Sequence, residues 1–295
     1  MTVMKVNVGT GKYIIAVSGG VDSVVLLHVL AHMPDLQLVA AHYDHGIRQD
    51  SAEDRKLVQR YAKAYGLPFE YEEGKLGPQA SEAVARNARY NFLRQVRKKH
   101  DAEAIITAHH QDDVFETIII NFMRGTKSKG LSSLRSSGEM LRPLLGIPKE
   151  DIRQYALQNM LEWREDSTNS DTKYLRNYVR LEIVPRMDPA TRSKLLEASK
   201  RAAKLNDAIH ELVVDYLSTQ TKAHVLNRQQ FCALPPEVAG EVLVEWLRTN
   251  TDATLSQQMV ARLYEAIMHG RNGSQVDVEK GWSLRLSKHE ITLFQ

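Results

Sequence analysis

The pattern of hydrophobic and polar positions predicts short buried strands that alternate with helices along the first 160 residues. The predicted strands are residues 13–17, 36–42, 68–72 and 104–108, followed by an extended segment at 141–145. The predicted helices are residues 24–30, 51–65, 81–100, 112–123 and 149–159. Because strands that alternate with helices are typical of a doubly wound parallel sheet, we expect an α/β fold.

A different pattern follows in the last third of the chain. Residues 194–217 predict one long helix, in which Leu205, Leu212 and other apolar residues recur at alternating steps of three and four, as in a coiled-coil seam. Two shorter helices and a hairpin-like end with alternating apolar residues come next. We therefore expect a first domain over residues 1–190, a linker helix over 191–218 and a small C-terminal α/β domain over 219–295.

Composition narrows the class of protein. The chain has 295 residues, of which 43% are hydrophobic and 25% charged, as in a soluble globular protein. No apolar run approaches the length of a membrane span and the first residues lack a signal-peptide core, so we expect a cytoplasmic protein without membrane contact. The single cysteine, Cys232, excludes an internal disulfide and any paired-cysteine metal or redox motif.

The turn between the first strand and the first helix carries two glycines and two hydroxyl side chains. Such a strand–turn–helix unit directs backbone N–H groups and a helix N-terminus at one point, which suits a phosphate. The common phosphate loop is excluded because no Gly-Lys-Ser/Thr follows the glycines, and Asp22 lies at the helix start instead. The alternative is a structural turn in which Asp22 and Ser23 cap the helix.

A second polar stretch follows the fourth predicted strand and contains His109, His110, Asp112, Asp113 and Glu116. Helical spacing places Glu116 on the same face as either aspartate. These acids suit a Mg²⁺ or other cation pocket at the edge of the sheet that holds the phosphate turn. The alternatives are helix capping and, with the two histidines, a zinc site.

Basic residues form local patches although the formal net charge is only +3. Arg86 and Arg89 lie three apart on one helical face and could bind a phosphate. Residues 124–130 form a basic loop, and two arginines near residue 178 are interleaved with tyrosines, a pattern that suits nucleic acid. The alternative for such charge runs is a solvated face, and for the tyrosines ordinary packing.

The string Ser18-Gly19-Gly20-Val21-Asp22-Ser23 resembles the pyrophosphate loop (PP-loop) of the N-type ATP pyrophosphatases. Across nearly its full length the chain further resembles the tRNA(Ile)-lysidine synthetase family. The motifs that carry this resemblance are Asp44-His45-Gly46-Ile47-Arg48, Glu82 with Ala85-Arg86-Asn87-Ala88-Arg89-Tyr90, His109-His110-Gln111-Asp112-Asp113-Val114-Phe115-Glu116-Thr117, Arg142-Pro143-Leu144-Leu145, Glu165-Asp166-Ser167 with Asn169, and Arg176-Asn177 with Arg180.

The resemblance implies a Rossmann-like PP-loop ATPase domain and a two-step ligation. ATP adenylates C2 of the cytidine at the first anticodon position of the CAU-bearing tRNA(Ile), and free L-lysine then displaces AMP. It implies these roles: catalysis by Asp22, Arg89, Asp113 and Glu116; ATP binding by Ser18, Gly19, Gly20, Val21, Asp22, Ser23 and His42; transient Mg²⁺ on Asp22; lysine binding by Asp112, Asp113 and Glu116; and tRNA binding by Arg48, Arg86, Arg124, Lys127, Lys129, Arg176 and Arg180.

Two other functions stay open at this point. Another PP-loop tRNA-modifying enzyme, such as a cytidine thiolase, would need several cysteines. A nucleotide-binding regulatory module without chemistry would not need acids beside the phosphate turn. The sequence leaves the oligomeric state open, with a homodimer as one option.

Overall fold

The computed structural model describes residues 4–46, 51–74, 77, 82–126, 128–165, 173–219 and 222–295. The first half of the chain forms a five-stranded, all-parallel sheet in the order β3-β2-β1-β4-β5. Its strands are β1 (Gly11–Ala16), β2 (Leu36–Asp44), β3 (Phe69–Glu73), β4 (Ala104–Ile106) and β5 (Met140–Leu141). The α/β fold expected from the sequence is confirmed.

Five helices lie where the polarity pattern predicts them: α1 (Val21–Ala31), α2 (Ser51–Ala64), α3 (Glu82–Lys99), α4 (Gln111–Met123) and α6 (Lys149–Gln158). Two short helices were not predicted: α5 (Ser128–Leu131), which begins within the basic loop expected over residues 124–130, and α7 (Leu175–Tyr178). A π-helical turn (Val179–Ile183) and a short 3₁₀ turn (Val184–Arg186) continue α7. Turns of the π type occur mostly at functional sites, and this one lies beside the cavity described below.

Both faces of the sheet are covered, which explains why β1 and β2 are apolar without alternation. On one face Leu26 and Leu30 of α1 pack with Ile152 of α6 against the sheet. On the other face Leu93 of α3 packs against Ile14 of β1. Because α1 lies between the sheet and α6, it is buried on nearly all sides and shows no polar face.

The strand order places a switch point between β1 and β4. From β1 the chain proceeds to β2 and β3 on one side and then crosses to β4 on the other side, where Tyr13 pairs with Ala104. In open α/β sheets, ligands bind outside the carboxyl ends of the strands at such a point. The phosphate turn follows β1 and the acidic stretch follows β4, so both lie at this crevice.

The structure separates a unit of residues 1–202 from a unit of residues 203–295, with the boundary inside α8 (Pro189–Ser218). In the second unit an antiparallel sheet runs in the order β6-β9-β8-β7. Its elements are β6 (Val225–Asn227), α9 (Arg228–Cys232), α10 (Pro236–Asn250), α11 (Gln257–His269), β7 (Gln275–Asp277), β8 (Ser283–Leu286) and β9 (Glu290–Phe294). Phe231, Trp246 and Leu263 are buried in its core.

The seam predicted for the long helix is confirmed only in part, because Ile209 and Tyr216 pack against the core of the second unit but two of its leucines do not. Leu205 and Leu212 are exposed, whereas Val213 is buried and packs in the core of the second unit. The helix is real, but it presents a different face to its neighbours than a coiled-coil repeat requires. No helix in the described part of the chain is both long and apolar enough to cross a bilayer.

Candidate active site at the switch point of the sheet

A polar cavity of about 840 Å³ lies at the carboxyl edge of the first sheet. Its walls come from the ends of β1, β2 and β4, from the first residues of α1, α4 and α6, and from residues 163–165 and 180–185. Predicted site residues that line it are Ser18, Gly20, Val21, Asp22, Ser23, His42, Arg89, Asp112, Asp113, Glu116 and Arg180. The fold therefore brings together residues that lie up to 162 positions apart in the sequence.

Internal hydrogen bonds hold the phosphate turn in shape. The Ser18 N–H donates to Ser23 Oγ at 3.1 Å, and the Ser23 hydroxyl donates to the Gly20 carbonyl at 2.9 Å. Gly19 has φ +93°, a left-handed conformation that a residue with a side chain rarely adopts. No side chain in the described part of the chain caps α1, so its first-turn N–H groups and positive dipole end are available to an anion.

Asp22 is ion-paired with a residue that sequence reasoning did not place in the site. The Lys149 ammonium lies 2.6 Å from Asp22 Oδ1. Lys149 is the first residue of α6, where the helix dipole disfavours a cation. The Asp22 carboxylate offsets that cost, and the pair brings two helix N-termini to the same side of the cavity.

A row of charged groups continues from Asp22 toward the acidic stretch. His110 Nε2 lies 3.8 Å from Asp22 Oδ2 and 3.5 Å from Asp113 Oδ2. The His110 N–H also donates to Asp113 Oδ2 at 2.9 Å, which caps α4. Burial alone would raise the pKa of Asp113, but His110, His109 and this backbone N–H outweigh it and hold the pKa below its usual value. Asp113 is therefore an anion at neutral pH.

Glu116 is the fully buried end of this row. Arg180 donates two hydrogen bonds to the Glu116 carboxylate, from Nε to Oε1 at 2.6 Å and from Nη2 to Oε2 at 3.0 Å. Arg176 Nε donates a third, to Oε2 at 3.1 Å. Arg180 Nη2 also reaches Asp113 Oδ1 at 3.4 Å. Burial lowers the pKa of Arg180, but Glu116 and Asp113 outweigh that effect and raise the pKa. The two acids thus share a permanent cation, with Glu116 bound more tightly than Asp113.

This geometry gives Arg176 and Arg180 a contact that the sequence did not suggest. We expected both to bind tRNA, and in the structure both guanidinium groups donate to Glu116. A phosphate contact by either residue stays a prediction.

Arg86 and Arg89 pack on a shared aromatic side chain. Their guanidinium carbons lie 4.9 and 5.3 Å from the centre of the Tyr90 ring. Arg89 lines the cavity, and its Nε is buried without a hydrogen-bond partner in the described part of the chain. Burial lowers the pKa of Arg89. A buried donor of this kind facing a cavity is suited to an anionic ligand.

Two histidines of the cavity wall are kept neutral. Burial lowers the pKa of His109 to about 3, and its Nδ1 lies 2.8 Å from Thr107 Oγ1. Burial also lowers the pKa of His42, whose Nδ1–H donates to the Val17 carbonyl at 2.8 Å. This bond leaves His42 Nε2 as an acceptor, and within the described residues that buried atom has no partner.

Residues 163–165 are fastened to the phosphate turn. The Arg164 N–H donates to the Gly19 carbonyl at 3.0 Å, and Arg164 Nε donates to Asp54 Oδ1 at 2.7 Å. Sequence reasoning missed Asp54, Lys149 and Arg164 as site residues. Two weak signals were available in the sequence. Lys149 directly follows Pro148 at a helix start, and Arg164 directly precedes the Glu165 motif.

The remaining predicted residues lie outside the cavity wall or outside the described part of the chain. Arg124 is the C-cap residue that follows α4, and Lys129 lies in α5. Arg48 and Lys127 lie outside the described residues.

The residues present fit a transient Mg²⁺ but not a resident metal centre. Among the described residues no group of three or more His, Cys, Asp or Glu side chains could hold a metal ion. Mg²⁺ in nucleotide sites is held by one or two carboxylates together with substrate phosphates. Asp22, beside the phosphate turn, supplies one such carboxylate.

Comparison with known proteins agrees with the fold of the first unit. The chain matches the PP-loop domain over residues 2–187. It is similar to the tRNA(Ile)-lysidine synthase of Thermotoga maritima, with 38% identity over 184 residues that cover 59% of this chain and 44% of the relative. It is also similar to the enzyme of that name from Thermosipho africanus, with 33% identity over 256 residues that cover 81% of this chain and 57% of the relative.

One solved structure supports the fold alone. The U34-tRNA thiolase NcsA from Methanococcus maripaludis has a TM-score of 0.56 and 18% identity, covering 67% of this chain and 73% of that one. The chain spans about half the length of the curated relatives it matches. These relatives confirm the resemblance found in the sequence, and the match over residues 2–187 shows that the chain belongs to the PP-loop domain family.

Proposed function

We propose that this chain is an ATP-dependent ligase that attaches free L-lysine to C2 of the wobble cytidine in the CAU-bearing tRNA(Ile). The name shared by its relatives, tRNA(Ile)-lysidine synthase, supports this substrate choice. In the first step the C2 oxygen attacks the α-phosphorus of ATP and pyrophosphate leaves. In the second step the lysine ε-amine attacks C2, the C2–O bond breaks, AMP leaves and the amine loses a proton.

The observation that carries the proposal is the continuous row of charged groups in one cavity. It begins with Lys149 and Asp22 at the phosphate turn and passes through His110 to Asp113. A cytidine placed between the two ends would have ATP on one side and a cation-binding carboxylate on the other. A reaction with an adenylated intermediate requires ATP to reach the C2 oxygen and lysine to reach C2 itself. Such positioning supplies much of the rate.

The phosphate end carries the first step in this proposal. The N-terminus of α1 and the Ser18 and Ser23 hydroxyls bind the triphosphate. When bound on Asp22, Mg²⁺ offsets charge on the leaving pyrophosphate. Lys149, already held 2.6 Å from that carboxylate, donates to the same phosphates. Arg89 contributes a further buried positive charge.

The acidic end carries the second step. A lysine amine has a pKa of about 10.4, so only about one molecule in a thousand is neutral at pH 7.4 and deprotonation costs on the order of 4 kcal/mol. A carboxylate pocket binds the abundant cation and holds its nitrogen near C2. Arg180 neutralises Glu116 more fully than Asp113, so Asp113 is the carboxylate left to bind lysine and to take its proton, with Asp112 beside it.

The C-terminal unit is proposed to read tRNA identity. Before modification the substrate shares its CAU anticodon with methionine tRNA, so discrimination needs contacts outside the anticodon. Residues 203–295 fold around their own core and provide surface for such contacts. The basic residues Arg48, Arg86, Arg124, Lys127 and Lys129 are proposed to bind phosphates of the tRNA.

A PP-loop thiolase is the second candidate and is less well supported. The thiolase NcsA shares the fold with this chain at 18% identity. The chain has a single cysteine, Cys232, and it belongs to the C-terminal unit rather than to the cavity.

The deciding experiment is a pyrophosphate-release assay with the whole chain, ATP, L-lysine and a tRNA(Ile) transcript. We expect release that depends on this tRNA, with lysine incorporated into the product, and no reaction with methionine tRNA. The Asp22→Asn variant should lose release while it still binds tRNA. Release without lysine incorporation, or none with any tRNA, would refute the proposal.

A further inference from the structure

The segment of residues 174–181 places its charges inward and its aromatic rings outward. Arg176 and Arg180 donate to Glu116, which is fully buried. Tyr174 and Tyr178, by contrast, are 67% and 46% exposed. A solvent-facing helical turn ordinarily has the opposite polarity, because apolar side chains are stabilised by burial. This arrangement answers a question that the sequence left open, since the two tyrosines do not serve as packing residues.

The exposed rings adjoin the candidate cavity. Tyr174 and Tyr178 are four residues apart and therefore lie on the same side of the turn. Leu181, 42% exposed, lines the cavity, as does its neighbour Arg180. The outward face of this segment is thus continuous with the mouth of the cavity. Because the ion pairs with Glu116 hold the backbone from the inside, the rings are presented on a fixed support.

We infer that Tyr174 and Tyr178 form a stacking platform for unpaired bases next to the reacting nucleotide. The inference rests on the proposed function, because a base that enters the cavity must first leave the anticodon stack. Its neighbours are then unstacked at the mouth, and unstacked bases bind to aromatic faces. A polynucleotide suits this site better than an apolar protein surface, because residues 173–181 contain three basic residues and no acid, and the rings carry hydroxyl groups.

Stacking makes a different prediction from phosphate binding. Loss of an aromatic face should weaken binding by roughly 5- to 150-fold, the effect of removing one base–aromatic stack. The slope of affinity against salt concentration should stay the same, since no phosphate contact is lost. ATP binding should also be unchanged, because neither tyrosine lines the cavity.

The experiment compares Tyr178→Ala, Tyr178→Leu and Tyr178→Phe in the whole chain, with binding of the tRNA(Ile) transcript measured across a salt series. The leucine variant keeps apolar area but has no π face, and the phenylalanine variant keeps the ring. We expect alanine and leucine to weaken binding within the stated range, and phenylalanine to restore it. Leu157→Ala, which removes another exposed apolar side chain of the first unit, is the matched control and should bind as the wild type.

A spectroscopic measurement gives an independent result. Tyr178→Trp should bind tRNA and show additional fluorescence quenching on binding, relative to the quenching that the wild-type tryptophans show. Wild-type affinity in Tyr178→Ala, wild-type affinity in Tyr178→Leu, or a change of oligomeric state in the free chain would each overturn the inference. A change of oligomeric state would mean that a second protein surface covers these rings.

The two proposals can fail separately. If the wild-type chain ligates lysine to its tRNA and the tyrosine variants bind that tRNA equally well, only the stacking platform is wrong. If the wild-type chain neither binds nor modifies the tRNA, both are wrong.

Discussion

Lys149 and Asp22 form an ion pair across 127 positions of sequence, with the ammonium 2.6 Å from the carboxylate oxygen. Each residue lies in the first turn of its helix, α6 or α1. The pair therefore places one ammonium and one carboxylate at the point where a triphosphate would bind. When that ligand arrives, both charges can exchange their partner for a phosphate or for a phosphate-bound cation.

The first prediction concerns Lys149→Gln. We expect pyrophosphate release to fall roughly 10- to 150-fold, the value of one charge-assisted hydrogen bond, while tRNA affinity stays the same. Lys149→Arg should recover part of the rate. Arg60→Gln is the matched control, because it breaks the exposed Arg60–Glu162 pair outside the cavity and should have no effect on release. Equal rates in Lys149→Gln and wild type would remove Lys149 from the site.

The second prediction concerns the transfer step. In single-turnover reactions that start from adenylated tRNA, Asp113→Asn should transfer lysine at least about 100-fold more slowly, because it removes the carboxylate proposed as base. Asp112→Asn is the comparison, and its effect should be smaller. Wild-type transfer by a folded Asp113→Asn variant would mean that the carboxylate only caps α4.

A separate outcome is expected for Glu116→Gln. Glu116 is fully buried and accepts hydrogen bonds from two guanidinium groups, so removing its charge breaks these buried ion pairs and should cost up to about 3–5 kcal/mol of stability. Denaturant unfolding measures this loss, and transfer must be assayed below the new transition. Unfolding at the wild-type denaturant concentration would contradict the buried network.

The third prediction concerns salt dependence. Lys127→Gln together with Lys129→Gln should flatten the plot of log affinity for tRNA against log salt by roughly two phosphate contacts. Lys56→Gln with Lys63→Gln, a pair of exposed lysines on α2, is the control and should leave the slope unchanged. If the double variant keeps the wild-type slope, these two lysines do not contact phosphates of the tRNA.

The fourth prediction concerns the C-terminal unit. A chain that ends at Ala202 should bind ATP but no longer distinguish isoleucine tRNA from methionine tRNA. The structure favours this end over one further along α8, because Ile209 and Val213 pack on the core of the second unit and would then be left exposed. Retained discrimination by a folded truncated chain would assign tRNA identity to the first unit.

The fifth prediction concerns pH. The pKa of His109 falls from 6.5 to about 3 on folding, so between these values the unfolded chain binds more protons than the folded chain. Stability from this group is present above pH 6.5 and is lost as the pH falls toward 3. His109→Gln should therefore flatten the decrease in unfolding free energy between about pH 6.5 and 5, measured with urea. If the pH dependence of the unfolding free energy is unchanged in His109→Gln, another group causes the decrease.

Local hydrophobicity was enough to predict the order and type of the main elements. Residues 13–17 gave β1 and residues 112–123 gave α4, each within two residues of its observed bounds at either end. The three-residue β6 and five-residue α9 escaped prediction, because segments so short show no period. The phosphate turn was predicted because its chemistry is contained in six consecutive residues.

Contacts between distant residues could not be predicted in the same way. Arg176 and Arg180 have the composition of a nucleic-acid patch, and nothing local reveals that Glu116, 60 and 64 positions away, binds both. Likewise, Lys149 looks like an ordinary helix-start residue until α6 is packed against α1. The sequence identifies which residues can react, and the packing of the helices decides which of them meet.

The pairing of β1 with β4 has a consequence for the order in which the cavity is assembled during synthesis of the chain. On the ribosome the phosphate turn leaves the exit tunnel long before His110 and Asp113 have been synthesised, and two complete strand–helix units lie between them. Closing so long a loop is slow, because its entropy is lost before any contact is gained. A nascent chain can thus bind an anion at the turn without a partner for chemistry. Reactivity requires Ile105 to dock beside Ile14 and also requires Lys149 and Arg180, which are synthesised later still and complete the wall of the crevice.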